Sequence, residues 1–154
     1  MSIQFSRNLI KGRIAEVVFE QMMQEEGKYA VIPFGYEHTM PMLSQYQHLA
    51  IVRRVIDNIK DAPDFALVSE DKAKIYLVEV KYQTTPDIEV LKKSAKKLLK
   101  RWEPSWLFVA TPGGFYCSPC SGIEKENRIN SLSTKWVVRE RQEAYLKLLK
   151  EFER

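Results

Sequence analysis

Apolar residues recur at helical spacing through residues 7–26, where Ile10, Ile14, Val17, Val18 and Met22 fall on one stripe. Gly27 follows and supplies a stop. The run Tyr29 to Phe34 is short and strand-like, and Pro33 within it predicts an edge strand or the strand's end. From about 42 to 59 the spacing of Met42, Tyr46, Leu49, Ala50 and Ile56 is again helical, with Arg53 interrupting the stripe. Two strands come next, 65–68 and 74–82, joined by the polar Glu70-Asp71-Lys72, a connection short enough to make a hairpin. Thr85-Pro86-Asp87 opens a helix running to about Trp102, with Ile88, Leu91, Ala95, Leu98 and Trp102 inward. The uninterrupted apolar run 106–110 predicts a strand inside the sheet, closed by Thr111-Pro112-Gly113-Gly114. Residues 115–138 follow neither period. A final amphipathic helix over 140–152 would turn Tyr145, Leu148, Leu149 and Phe152 inward.

This order predicts an α/β fold, a mixed central sheet flanked by helices, with an inserted helix near 42–59 and a C-terminal helix. No repeat or low-complexity tract interrupts it, so residues 1–154 read as one domain. The apolar fraction of 45% is that of a globular chain, not a disordered one. The chain has no run of the roughly 18 apolar residues that a membrane span needs. Nor does the N-terminal segment carry the apolar core and small-residue cleavage site of a secretory signal, so a cytoplasmic location is expected. Cys117 and Cys120 form a CxxC with no second pair to complete a zinc site; they read as ordinary thiols in a turn. The net charge of +4 is too modest to announce a polyanion partner by itself.

Against this background strand 74–82 stands apart. Beyond Lys74 it is apolar except for Glu79 and Lys81, which lie two residues apart and therefore on one face, with Cα atoms about 7 Å apart. A turn centred between Asp71 and Lys72 sets Asp64, from Pro63-Asp64 at the start of the preceding strand, directly opposite Glu79. Opposed residues share a face with Cβ atoms about 5 Å apart. Two such carboxylates repel by roughly 4 kcal/mol at 4 Å in a protein-surface dielectric. A divalent cation between them removes that cost, and an oxygen-only ligand set suits Mg²⁺ or Mn²⁺. A Glu-x-Lys on a solvated strand would be a simple ion pair, but here apolar neighbours on both faces argue for a buried setting.

Pro63-Asp64, fourteen intervening residues and then Glu79-Val80-Lys81 resembles the PD-(D/E)xK motif of the restriction-endonuclease-like nucleases. Gly12-Arg13-Ile14-Ala15-Glu16 is similar to the first-helix G-x-x-A-E segment of the Holliday-junction-resolvase-like branch. The element order also resembles that fold's αβββαβ core, over roughly residues 8–111. The resemblance implies an Mg²⁺- or Mn²⁺-dependent deoxyribonuclease, an endonuclease acting on DNA. Asp64 and Glu79 would ligate the metal, Glu16 would assist from the helix, and Lys81 would position or deprotonate the attacking water. Gln83 occupies a position where some members carry a polar residue near the phosphate. The inserted helix departs from the pattern.

Other residues add to this picture unevenly. A basic stripe, Lys92, Lys93, Lys96, Lys97, Lys100 and Arg101 against the single Glu89, is either a solvated face or a phosphate-binding one. Gly12, one turn before Glu16, costs about 1 kcal/mol relative to alanine in mid-helix, which predicts close backbone approach. Glu20 shares the Glu16 face. His38 and His48 lack ligand spacing, and Arg53 and Arg54 discriminate nothing. Cutting both strands of a duplex would favour a homodimer. The alternative reading is a nucleic-acid-binding or assembly module that keeps the nuclease fold without turnover. The carboxylate spacing would also suit glycoside hydrolysis, which a lysine beside both acids disfavours.

Overall fold

The computed structural model describes residues 2–34 and 62–153. The expected inserted helix at 42–59, with His38, His48, Arg53 and Arg54, lies outside the described residues. Helix α1 (Ile3–Glu26) starts where Ser2 Oγ accepts the Phe5 N–H and ends at Gly27, whose φ of 76° only glycine adopts without cost. Strand β1 (Tyr29–Pro33) follows, then β2 (Phe65–Ser69) and β3 (Ile75–Tyr82). Between β2 and β3 the Asp71 carboxylate takes the Ser69 hydroxyl and the Ala73 N–H, and Lys72 turns left-handed. This Asx-type turn sets the hairpin register. Helix α2 (Ile88–Leu99), strands β4 (Ser105–Thr111) and β5 (Gly114–Pro119), and helices α3 (Cys120–Glu126) and α4 (Arg139–Glu151) complete the described elements.

The five strands form one mixed sheet in sequential order, β1 at one edge and β5 at the other. All neighbours pair antiparallel except β3 and β4, whose parallel pairing requires the crossover that α2 provides. Pro33 thus sits on an edge strand and β4 inside the sheet, as the pattern predicts. One face carries Phe65, Leu67, Val78, Val80, Phe108 and Ala110 against Ala15, Val18, Phe19, Met22 and Met23 of α1. The other carries Leu107 and Val109 against Leu91, Ala95 and Leu98 of α2 and Cys120 and Ile123 of α3. Helix α4 docks beside α1, with Leu149 buried and Arg141 paired to Glu26.

Three expectations need correction. In α1 the buried stripe is Ala15, Val18, Phe19, Met22 and Met23, so Ile10 and Val17 face outward, each 58% exposed. The helix is apolar on two sides, and periodicity could not tell which side meets the sheet. In α4, Leu149 is buried and Tyr145 packs partly, while Leu148 and Phe152 are exposed. The ambiguous stretch after Gly114 holds β5 and α3, so Cys117 lies on a strand and Cys120 opens a helix instead of both occupying a turn.

Candidate metal centre on the second face of the sheet

β3 is dense in β-branched and aromatic residues, and alternation sends its side chains to opposite faces. Val78 and Val80 enter the α1 core, so Glu79 and Lys81 must project to the side of α2. Their register partners on β4, Leu107 and Val109, belong to the α2 core, which places the two charged residues over that layer's rim. The β2–β3 register pairs Phe65 with Val78, and one step further brings Asp64 opposite Glu79.

At that step the ladder changes character. β2 has not yet begun at Asp64, and the Val80 N–H donates 2.8 Å to Asp64 Oδ2, a side-chain acceptor. The Asp64 carbonyl accepts from Phe34 N–H at 2.9 Å. The Asp64 carboxylate is thereby held by the backbone of the strand that bears Glu79.

Glu79 is in the opposite situation. Burial pushes its carboxyl pKa up to about 9, and the Asp64 charge and a hydrogen bond shared with Asp64 push the same way. Lys81, with Nζ 3.7 Å from Glu79 Oε2, pulls back, while the Glu16 charge on α1 adds a smaller upward push. Side-chain exposures of 22% for Glu79 and 34% for Lys81 leave the pair reachable from solvent. Two half-buried carboxylates side by side, oxygen donors only, are a donor set that fits a hard divalent cation retaining several waters. Among the described residues no group of three or more His, Cys, Asp or Glu converges. Glu16 thus stands near the carboxylate pair without closing a three-ligand cluster, and pairs with Arg13 at 3.8 Å.

The remaining candidates fall around this pair. Gln83, two residues past Lys81 on the same face, accepts the Asp87 N–H at 2.9 Å through Oε1, which ties the end of β3 to the start of α2. A cleft of about 430 Å³ opens there between Asn8, Tyr82, Gln83, Thr84, Thr85 and Asp87. The basic helix covers the sheet face from which Glu79 and Lys81 project. Lys93, Lys96, Lys97, Lys100 and Arg101 are exposed and Lys92 half-buried; the last two basic residues lie beyond the helix, which ends at Leu99. Gly12 has nothing within 4 Å of where a Cβ would sit, so close packing against the sheet does not explain it.

Two groups escaped the sequence reading. The Val80 amide that anchors Asp64 is implicit in the hairpin register, since a residue opposite Glu79 must meet that stretch of backbone. The Cys120 thiol lies close enough to Glu79 to sense its charge, and no sequence signal connects the two. Burial raises both thiols, Cys117 to about 12 and Cys120 to about 11, and the two belong to different cores. They are protonated packing residues at neutral pH. No protein-family model matches the chain, and no curated protein matches it.

Proposed function

We propose that this protein is a divalent-metal-dependent nuclease that hydrolyses DNA phosphodiester bonds, an endonuclease of the PD-(D/E)xK, restriction-endonuclease-like type. The observation that carries the reading is the convergence of Asp64, Glu79 and Lys81 on one face of the β2–β3 hairpin, with Lys81 Nζ 3.7 Å from Glu79 Oε2. The order α1-β1-β2-β3-α2-β4 of the described elements supports it, being similar to the αβββαβ core on which that motif sits. The basic residues of α2 on the same side of the sheet suit a polyanionic substrate.

Asp64 and Glu79 would hold Mg²⁺ or Mn²⁺. Bound there, the ion would acidify a water molecule and neutralise charge growing on the phosphate. The residues have separable tasks. Val80 N–H fixes the Asp64 carboxylate, so that ligand is oriented before anything binds. Glu79 would have to give up its proton to hold such a cation, so cation binding and the ionisation of Glu79 would be linked. Lys81, then no longer the sole counter-charge, would be left as an ammonium to stabilise a phosphate oxygen and position the attacking water. Glu16 supports the same water from α1, and Gln83 holds the junction leading to the basic helix.

Incubation of supercoiled plasmid with Mg²⁺ or Mn²⁺ tests this directly, with EDTA as control and linear, flapped, branched and single-stranded DNAs alongside. Nicking that needs metal and disappears in Asp64→Asn is the expected result. Full activity in purified Asp64→Asn would overturn the assignment. Binding to DNA with no cleavage of any substrate would favour a module that keeps the fold without turnover.

A further inference from the structure

The positive excess of the chain has one source. Residues 88–101 hold six basic side chains, Lys92, Lys93, Lys96, Lys97, Lys100 and Arg101, against the single Glu89. Taking these away from the chain's 24 basic and 20 acidic residues leaves 18 against 19, so the excess resides in α2 and the two residues that follow it. Leu91, Ala95 and Leu98 turn α2 toward Leu107 and Val109 of the sheet. At 3.6 residues per turn, Lys93, Lys96 and Lys100 fall on the opposite side of the helix, and all three are exposed. None of the three forms an ion pair with an acid among the described residues.

Folding does not call for this row. The helix dipole favours cations in the last turn, which accounts for Lys96 and Lys97 but not for Lys93 in mid-helix. Solubility is served by interspersed signs, whereas Lys92–Lys96 and Lys96–Lys100 set like charges four residues apart, where they repel. A row of repelling cations on the outside of a helix is complementary to a row of phosphates, which relieves the repulsion. Its place relative to the carboxylates decides what it can hold. Glu79 projects from the sheet face that α2 covers, so the thickness of a helix, about 10–12 Å, lies between it and the outward lysines. One phosphate cannot touch both. At 3.4 Å per base pair the gap spans about three base pairs, and a duplex is stiff enough to present its backbone at both places.

We infer that the outward face of α2, with Lys93, Lys96 and Lys100, is an anchoring surface for duplex DNA, separate from the contact at Asp64 and Glu79. This deepens the nuclease reading and rests on it for the second contact, while the grip itself needs neither metal nor turnover. The test is binding of the full chain to a labelled duplex in EDTA across a range of KCl, read by fluorescence anisotropy. Changing Lys93, Lys96 and Lys100 to glutamine together should weaken binding at least about tenfold at 0.1 M salt and flatten the log–log slope by about 2–3, with an unchanged far-UV spectrum. The same three positions changed to arginine should retain affinity, since the charge is kept. Combined with Lys81→Ala, the losses in log affinity should add, as they do for sites that share no partner. A glutamine variant with unchanged affinity and slope, or a chain that binds no DNA in EDTA, overturns the surface. Lysine-dependent binding to phosphatidylserine vesicles with none to DNA, or tighter binding of single strands than of duplex, overturns the occupant. Losses that fail to add overturn the separation of the two contacts. Because every arm runs without metal, a chain that binds in this way and cuts nothing sinks the nuclease reading and leaves the anchoring surface standing.

Discussion

On the α1 side of the sheet, β3 presents Val78 and Val80 to a layer of phenylalanine and methionine; on the α2 side the same strand presents Glu79 and Lys81. The first face is built for burial. Phe19, Phe65, Phe108 and Phe115 touch ring to ring with centroids 4.8 to 5.4 Å apart. The second face starts the same way, with Leu107 and Val109 under α2, and then gives up packing at its rim to hold two acids that repel. A sheet can bear that cost because its other face is saturated with apolar contact. Under the proposed function, stability and chemistry would fall to alternate residues of one strand.

Substitutions on the two faces should therefore move different observables. The largest effect is expected for Lys81→Ala, with cleavage falling about a hundredfold to a thousandfold or more and the melting curve little changed. Phe108→Ala is the counterpart, costing about 3–5 kcal/mol in urea unfolding from the cavity it leaves. Loss of cleavage through global unfolding in Lys81→Ala would erase the distinction.

Glu79→Gln sharpens the same contrast, because it should abolish activity while stabilising the metal-free protein by on the order of 1 kcal/mol or more at pH 8. Proton linkage sets the sign. An unfolded glutamate ionises near 4.5, whereas the folded Glu79 keeps its proton to about 9. Between those values the folded state holds the extra proton, so stability falls as pH rises through that window. Divalent-cation affinity should rise over the same window, by up to about tenfold per pH unit, since each ion bound expels that proton. A pH-independent Mg²⁺ midpoint from 6 to 8 would contradict a protonated Glu79.

A smaller effect is expected from the α2 layer. Changing Lys92, Lys93 and Lys96 to alanine together should flatten the salt dependence of DNA binding by about 0.9 in log–log slope for each phosphate no longer neutralised. An unchanged slope would make the basic stripe a solvated face. Smallest of all, Gly12→Ala should stabilise by about 0.5–1 kcal/mol, since no atom opposes the new Cβ. Lower activity despite that gain would show that the bare backbone there faces substrate.

Much of this was legible in the sequence because it depends on local rules. The hairpin register followed from where Asp71 and Lys72 place the turn, and register alone sets Asp64 opposite Glu79. The internal position of β4 followed from its unbroken apolar run, and the edge position of β1 from Pro33. The second half of the sheet was harder to read. Gly114–Pro119 mixes burial on both faces, and the α3 helix of only seven residues is too short to show a period.

By itself, then, the sequence determined the first four strands, the pairing along the hairpin and the one face that gathers acids with a lysine, since alternation and turn chemistry act between neighbours in the chain. Only the tertiary structure decided which side of α1 meets the sheet, that Leu148 and Phe152 stay exposed, and how near Glu16 and Cys120 come to Glu79. Those outcomes depend on which of two comparably apolar surfaces fits a partner far away in sequence. Long-range packing makes that choice, and hydrophobic periodicity does not encode it.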